Sequence, residues 1–209
     1  MREHFHADAE RFDAIYEEEK GVVYRIVDNW WRGVVRKRLE LSIEVLEPLE
    51  NKRILDVGCG SGRFCIAFAE HGAKEVVGID FAAGMIDIAN DLAEKADVAD
   101  QCNFYVGSFP EDLPEGKFDG CTANGFFDYI EDPTPLIAQM KELTNGKLVM
   151  SFPKAVEWRV PLRWVRFQMK GTPLFLYRKE QLKKILQNAG INDYEWINLD
   201  RDYFIVANV

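Results

Sequence analysis

Apolar residues recur at steps of three and four from about residue 7 to 19 (Phe12, Ile15, Tyr16) and again from about 22 to 46 (Val23, Ile26, Val27, Trp30, Val34). That period predicts two amphipathic helices at the start of the chain. Pro48 ends the second, because proline has no amide hydrogen to continue a helix. The pattern then changes to short apolar runs at about 53–57, 75–80, 103–107, 118–123 and 147–152, separated by helical stretches at about 62–71, 83–97 and 134–143. Unbroken apolar runs of this length suit strands buried on both faces, and their alternation with helices predicts parallel strands joined by crossovers. Residues 108–117 read as a loop with a helical turn. After a Trp/Arg-rich segment at 155–175, a helix is expected at about 179–189, followed by runs at 194–198 and 203–206. The link between those runs is hairpin-short, which makes the last strand antiparallel. With 209 residues the chain suffices for one α/β domain and is short for two. The expected organisation is a single domain, 1–209: a helical cap (1–49), a core (50–153), a cover (154–178) and a C-terminal helix and hairpin (179–209).

The run Ile54-Leu-Asp-Val-Gly-Cys-Gly-Ser-Gly-Arg-Phe64 carries the strongest chemical signal. Glycines at 58, 60 and 62, between a predicted strand and a predicted helix, let the backbone turn tightly and keep side chains away from a ligand lying against it. Counted from Gly58 and Gly60, the dinucleotide fingerprint G-x-G-x-x-G needs a glycine at 63, which is Arg63, so the spacing disfavours a nicotinamide dinucleotide. The lysine-containing loop that cradles nucleotide phosphates is absent. A second element follows. Val76-Val-Gly-Ile-Asp80 is an apolar strand ending in an acid eighteen residues past Gly62, where a carboxylate can accept both hydroxyls of a ribose. One such turn can serve packing alone; two elements at this separation favour a ligand site.

With Asp56 two residues ahead of Gly58, and Gly60 and Gly62 behind it, the chain resembles the class I S-adenosylmethionine-dependent methyltransferases. The resemblance covers residues 50–153. It implies a Rossmann-like, mostly parallel seven-stranded sheet with an antiparallel last strand, helices on both faces, and an N-terminal helical cap. It also implies the cofactor S-adenosyl-L-methionine, with S-adenosyl-L-homocysteine as product. On this resemblance Asp56, Gly58, Gly60 and Gly62 hold the cofactor, the carboxylate suiting its cationic groups. Asp80 takes the ribose, while Phe81, Ala82 and Met85 flank the adenine. Val106–Pro114 resembles the family's segment after the third strand and adds Ser108 and Phe109 to the site. Many relatives place an acid at the position of Ser108, so either Ser108 with neighbouring backbone, or Glu111 or Asp112, takes over its task. Lys117–Ala123 resembles the fourth strand, and Asn124 follows it at the cofactor. The stretch from Gly146–Lys154 through Tyr177 to Asp202–Phe204 is similar to the C-terminal half of magnesium-protoporphyrin O-methyltransferases. The whole chain is also similar to ubiquinone-pathway O-methyltransferases, which points to a small-molecule acceptor.

Methyl transfer is an in-line displacement, so catalysis consists largely of positioning, with a base added when the nucleophile carries a proton. Asn124-Gly-Phe-Phe-Asp-Tyr129 stands where the family faces the transferring methyl. It lacks the Asn/Asp-Pro-Pro-Tyr/Phe sequence with which some relatives grip a planar nitrogen. Asp128 and Tyr129 are candidate catalytic groups, as is His6, since N-terminal helices of the family often fold over the cofactor. Asp128 reads equally well as a loop carboxylate bonded to backbone amides. Phe127 is a candidate acceptor contact, although it and Phe126 also suit the core. After the fifth strand Arg159, Arg163 and Arg166 interleave with Trp158 and Trp164. Such a segment can grip an anionic or aromatic acceptor, lie on an anionic membrane surface, or form a plain solvated helix.

Charge narrows these choices. The net charge of −9 opposes non-specific binding to nucleic acid, whose affinity comes from neutralising phosphates. Residues 151–184 nevertheless hold nine Lys/Arg against two acids, which favours an anionic acceptor at the cover. No run approaches the roughly 18 apolar residues of a membrane span, and the first residues are too polar for a signal peptide. The expected setting is cytoplasmic, with membrane contact limited to a peripheral one through 155–175. The four cysteines form no C-x-x-C pair and the three histidines no zinc ligand set, so neither a disulfide frame nor a metal is implied. The expected activity is methyl transfer to a small-molecule acceptor, at oxygen first. Nitrogen or carbon acceptors, and a non-catalytic cofactor-binding partner protein, are the alternatives.

Overall fold

The structure, a computed structural model, describes residues 22–155 and 174–209. The helix expected at 7–19, His6, and Arg159, Arg163 and Arg166 lie outside the described residues. Helix α1 (Val22–Leu46) leads into β1 (Arg53–Val57), and helices and strands then alternate: α2 (Arg63–Glu70), β2 (Glu75–Asp80), α3 (Ala83–Lys95), β3 (Cys102–Val106) and β4 (Phe118–Ala123). A 3-10 turn (Phe127–Tyr129) follows, then α4 (Thr134–Glu142), β5 (Thr144–Pro153), α5 (Lys179–Asn188), β6 (Tyr194–Asn198) and β7 (Asp202–Asn208).

Seven strands make one sheet in the order β3-β2-β1-β4-β5-β7-β6. The first five pair in parallel, and β7 runs antiparallel to both β5 and β6. Successive strand residues point to opposite faces, and the core divides accordingly. Leu55, Val77, Leu148 and Ile205 pack on one face with Ile137 and Met140 of α4 and Leu182 and Leu186 of α5. Ile54, Val76, Val149 and Phe204 pack on the other with Leu46 of α1, Phe68 of α2 and Ile86 and Ala93 of α3. Both faces are covered, which is why the strands read as unbroken apolar runs.

The ends of two strands differ from the apolar pattern. β5 begins at Thr144 rather than about 147, because Thr144 pairs with Phe118 across an irregularity in the ladder. β7 extends to Asp202 and Asn208, beyond the apolar run 203–206, because these two residues pair with Pro153 and Lys147 of β5. Backbone pairing sets these ends, and side-chain polarity does not report it. The strand order reverses between β1 and β4, and ligands of open α/β sheets bind outside the carboxyl ends of strands at such a point. Among the described residues no helix is long and apolar enough to cross a membrane.

Candidate functional site

The chain leaves β1 through three glycines with left-handed backbone, Gly58 (φ 70°), Gly60 (φ 52°) and Gly62 (φ 72°). They serve different ends. A Cβ on Gly62 would stand 2.8 Å from Ala89 and Phe104, and one on Gly58 would stand 2.6 Å from the Phe126 ring, so both are places of close packing. Among the described residues, chain neighbours aside, a Cβ on Gly60 would meet nothing within 4 Å. Gly60 therefore marks the open side of the loop.

Asp80, at the end of β2, ties that loop down. Its Oδ2 accepts the Gly60 N–H at 3.0 Å and its Oδ1 accepts the Ala82 N–H at 2.9 Å. Burial raises the carboxyl above its ordinary range, opposed by the backbone hydrogen bonds of Ala82, Gly60 and Phe81. Each carboxylate oxygen has further lone-pair capacity beyond one amide. Val106, which pairs with Asp80 across β2 and β3, is 52% exposed. Sequence reasoning passed over this valine; its position at the end of the third strand, ahead of Gly107, was the available signal. Phe81 is half-buried and packs with Met85, itself 8% exposed, at the start of α3. Ser108 is exposed, and its N–H donates to Asp112 Oδ2 at 2.9 Å, so the Asp112 carboxylate folds its own loop. Glu111 is exposed, and Phe109 packs half-buried against the core.

Asp56 stands elsewhere than the sequence suggested. Rather than lining the open side, it is 3% exposed. Its Oδ1 accepts the Thr122 hydroxyl at 2.5 Å, and its Oδ2 lies 3.7 Å from the Cys65 thiol. The cause is register: Asp56 pairs with Thr122 across β1 and β4, so its carboxyl is enclosed before the loop begins. Burial pushes it from the ordinary 3.8 up to about 7, against the lowering by Thr122 and Cys65. Between roughly pH 4 and 7 the folded chain thus holds a proton that the unfolded chain has released, and this group's contribution to stability falls as pH rises through that window. Asp56→Asn keeps an acceptor for Thr122 and never ionises. Its melting temperature relative to the parent should rise between about pH 5 and pH 8. A constant difference across that range would mean that the folded carboxyl is not proton-bound.

Beyond β4 the site residues separate into two groups. Phe127 is fully buried and stacks on Phe152, with ring centroids 4.4 Å apart; it is a core residue, corrected from candidate acceptor contact. The 3-10 turn points it inward. Asp128 is 7% exposed, and its charge lies close enough to raise the Tyr177 phenol, after the larger effect of burial. The Tyr177 hydroxyl donates to the carbonyls of Ile130 and Phe127, so it fastens this turn. Phe126 and Tyr129 are half-buried, and Phe126 lies against Gly58 of the loop. The Phe175 N–H donates to the Asp128 carbonyl, the Tyr177 N–H donates to the carbonyl of Pro153 at the end of β5, and the Ala155 N–H donates to the Tyr177 carbonyl.

A buried polar network that sequence reasoning missed covers the same end of the sheet. Arg38 of α1 donates from Nη2 to Asp202 Oδ2 at 2.7 Å, with side chains 10% and 0% exposed. Ser42 Oγ donates to the Arg38 carbonyl, and Asn124 Nδ2 donates to Ser42 Oγ at 3.2 Å. Gly125 N–H donates to Ser151 Oγ at 2.9 Å, and a Cβ on Gly125 would lie 3.2 Å from Arg38 Nη1. Asn124 Oδ1 is buried and makes no hydrogen bond. A basic residue inside an otherwise apolar helical stripe was the only trace of this network in the sequence.

Comparison with known proteins agrees with this geometry. The magnesium protoporphyrin IX methyltransferase of Synechocystis PCC 6803, crystallised with bound S-adenosylhomocysteine, superposes with a TM-score of 0.79 over 99% of this chain and 97% of that one, at 20% identity. The phosphoethanolamine N-methyltransferase 2 of Haemonchus contortus, in complex with S-adenosyl-L-methionine, superposes with a TM-score of 0.68 over 83% of this chain and 52% of that one, at 16% identity. At such identities the likeness is one of fold. By sequence, the ribosomal protein L11 methyltransferase of Shewanella baltica (strain OS185) is 40% identical over 114 residues, which is 53% of this chain and 38% of that protein. The chain thus spans well under half the length of that relative. A family model described as a methyltransferase domain matches residues 31–195, from within α1 into β6. The chain belongs to that methyltransferase domain family.

Proposed function

We propose that this chain transfers the methyl group of S-adenosyl-L-methionine to a small anionic acceptor, at oxygen in the first instance. The observation that carries the cofactor half is the pairing of Asp80 with the open Gly60 turn. The carboxylate that holds the Gly60 amide retains lone pairs for ribose hydroxyls, and among the described residues nothing beyond its chain neighbours stands within 4 Å of where a Gly60 Cβ would be. Val106 offers an apolar surface beside Asp80 for a purine face. When bound, the cofactor supplies an activated methyl on a sulfonium. The protein's own part is to align an acceptor with that methyl and keep water out. The turn that follows β4, with Phe126 against the loop and Tyr129 half-buried, is the proposed place for the acceptor. Asp128 and Tyr129 remain the proposed proton-handling groups.

Asp80→Ala should weaken S-adenosyl-L-homocysteine binding by about tenfold or more, since hydrogen bonds to a charged group are worth roughly 1.5–3 kcal/mol. Calorimetry giving the parent affinity for a folded variant would reject the assignment.

The anionic character of the acceptor is supported by the basic excess in residues 151–184. Replacing Arg159, Arg163 and Arg166 together by Gln should raise the acceptor Michaelis constant and flatten its salt dependence, with cofactor affinity kept. If acceptor kinetics do not respond, the proposal of an anionic acceptor fails. A protein acceptor is the second reading, supported by the 114-residue match to a ribosomal-protein methyltransferase. Transfer of labelled methyl to protein in a ribosomal fraction, and not to small molecules, would favour it.

A further inference from the structure

Two thiols lie under the glycine loop. Cys59 stands between Gly58 and Gly60, and Cys65 is in the first turn of α2. Cys59 is 8% exposed and Cys65 is fully buried. The Cys59 thiol donates to the Gly60 carbonyl at 3.7 Å. Both press on one spot, for a Cβ built on Gly78 would lie 2.9 Å from Cys59 Sγ and 3.0 Å from Cys65 Sγ. Gly78 does not have a positive φ, so what it supplies here is room. On its other side Cys65 Sγ lies 3.7 Å from Asp56 Oδ2. Carboxyl, thiol and thiol therefore lie side by side under the loop, the two sulfurs within about 6 Å of each other.

We infer that Cys59 and Cys65 are a modification site: a reversible disulfide between them that draws the loop away from its cofactor-binding shape. The inference rests on the reading of this loop as the cofactor site. The oxidant is a peroxide. Cys59, the more exposed sulfur, attacks a peroxide oxygen; the O–O bond breaks, the thiol proton leaves with the departing hydroxide as water, and Cys59 becomes a sulfenic acid. Cys65 then attacks that sulfur. The S–O bond breaks, and the departing hydroxide takes the Cys65 proton as the second water. Two thiols and one hydrogen peroxide thus give one disulfide and two waters. Burial is the main reason the Cys65 thiol sits well above its ordinary range, so the resting pair is protonated and answers to sustained rather than trace oxidant.

Sulfurs in a disulfide are about 2.05 Å apart, far closer than unbonded thiols. Closing that gap moves Cys59 toward α2. The Cys59 N–H donates to Ile79 O at 3.1 Å and the adjacent Gly60 N–H donates to Asp80 Oδ2 at 3.0 Å. Both bonds shape the open side of the loop and shift with Cys59.

Trypsin cuts at Arg63, between the two cysteines, so the test is direct. The full chain, purified reduced, is treated with hydrogen peroxide, its remaining thiols are blocked, and it is digested without reductant. Peptides Ile54–Arg63 and Phe64–Lys74 should then run as one cross-linked species that dithiothreitol separates. Calorimetry should show S-adenosyl-L-homocysteine affinity lowered by roughly tenfold or more after oxidation and recovered on reduction. In Cys65→Ser and Cys65→Ala, peroxide should leave each variant's affinity where it was. The inference is overturned if the two peptides do not cross-link, if Cys65 pairs with Cys102 or Cys121 instead, or if the cross-link forms with no change in affinity. Failure of the reduced protein to bind S-adenosyl-L-homocysteine would instead strike the cofactor reading, and the peptide map would still report on the disulfide.

Discussion

Gly60→Val is expected to abolish S-adenosyl-L-homocysteine binding while sparing most of the fold. Gly60 has φ 52°, a region that a β-branched residue enters at a cost of about 1–3 kcal/mol. Among the described residues nothing beyond its chain neighbours lies within 4 Å of where its Cβ would stand, so the described fold does not obstruct the new side chain. The isopropyl group instead occupies the open side of the loop, next to the amide that Asp80 holds. Affinity should fall by roughly a hundredfold or more, the equivalent of about 3 kcal/mol. Gly62→Val provides the contrast. Its side chain would run into Ala89 and Phe104 at 2.8 Å, and overpacking of that kind lowers stability by about 1–3 kcal/mol on top of the backbone strain. Thermal melts should therefore separate the two variants, with Gly62→Val the less stable. Retained binding in a folded Gly60→Val protein would show that ligand does not lie on that side of the loop.

Arg38→Met should be among the most destabilising single changes in the described fold. It leaves the Asp202 carboxylate, which is 0% exposed, buried without its cation. Breaking a buried pair by removing one partner costs about 3–5 kcal/mol, whereas replacing both partners with apolar groups is often neutral. At roughly 2–4 °C per kcal/mol for a domain of this size, the melting temperature should drop by about 6–20 °C. Arg38→Met combined with Asp202→Leu should recover most of that loss. A loss in the double variant equal to the sum of the losses in Arg38→Met and Asp202→Leu alone would show that the two side chains are not energetically coupled. The pair also joins α1 to the start of β7 at the sheet end that carries Asn124 and Gly125. Loosening it should therefore disturb the acceptor side before the ribose side.

Much of this architecture was legible in the chain. The apolar runs of β1, β2 and β4 carried their own boundaries because both faces of those strands are covered, so burial leaves an unbroken hydrophobic record. The same record misplaced the start of β5 and both ends of β7, where Thr144, Asp202 and Asn208 belong to the ladder through backbone bonds alone. Phe127 shows a different limit. Two adjacent phenylalanines follow β4, and only the 3-10 turn decides that Phe127 stacks on Phe152 while Phe126 faces Gly58.

By itself the sequence determined what depends on neighbours along the chain: the alternation of strand and helix, the tight glycine turn after β1, and an acid at the end of β2. Periodicity and spacing record these because the forces behind them, burial of one face and freedom of backbone rotation, act over a few residues. Tertiary structure decided what depends on distant partners. Arg38 meets Asp202 across 164 positions, Asn124 meets Ser42 across 82, and Asp56 meets Thr122 across 66. Register between β1 and β4 turned Asp56 from an expected ligand contact into an enclosed carboxyl. The space left at Gly78 brought two cysteines without a motif to one spot. In each case a long-range approach sets the burial and the partner of a polar or reactive group, and these govern its chemistry more than the residue's identity does.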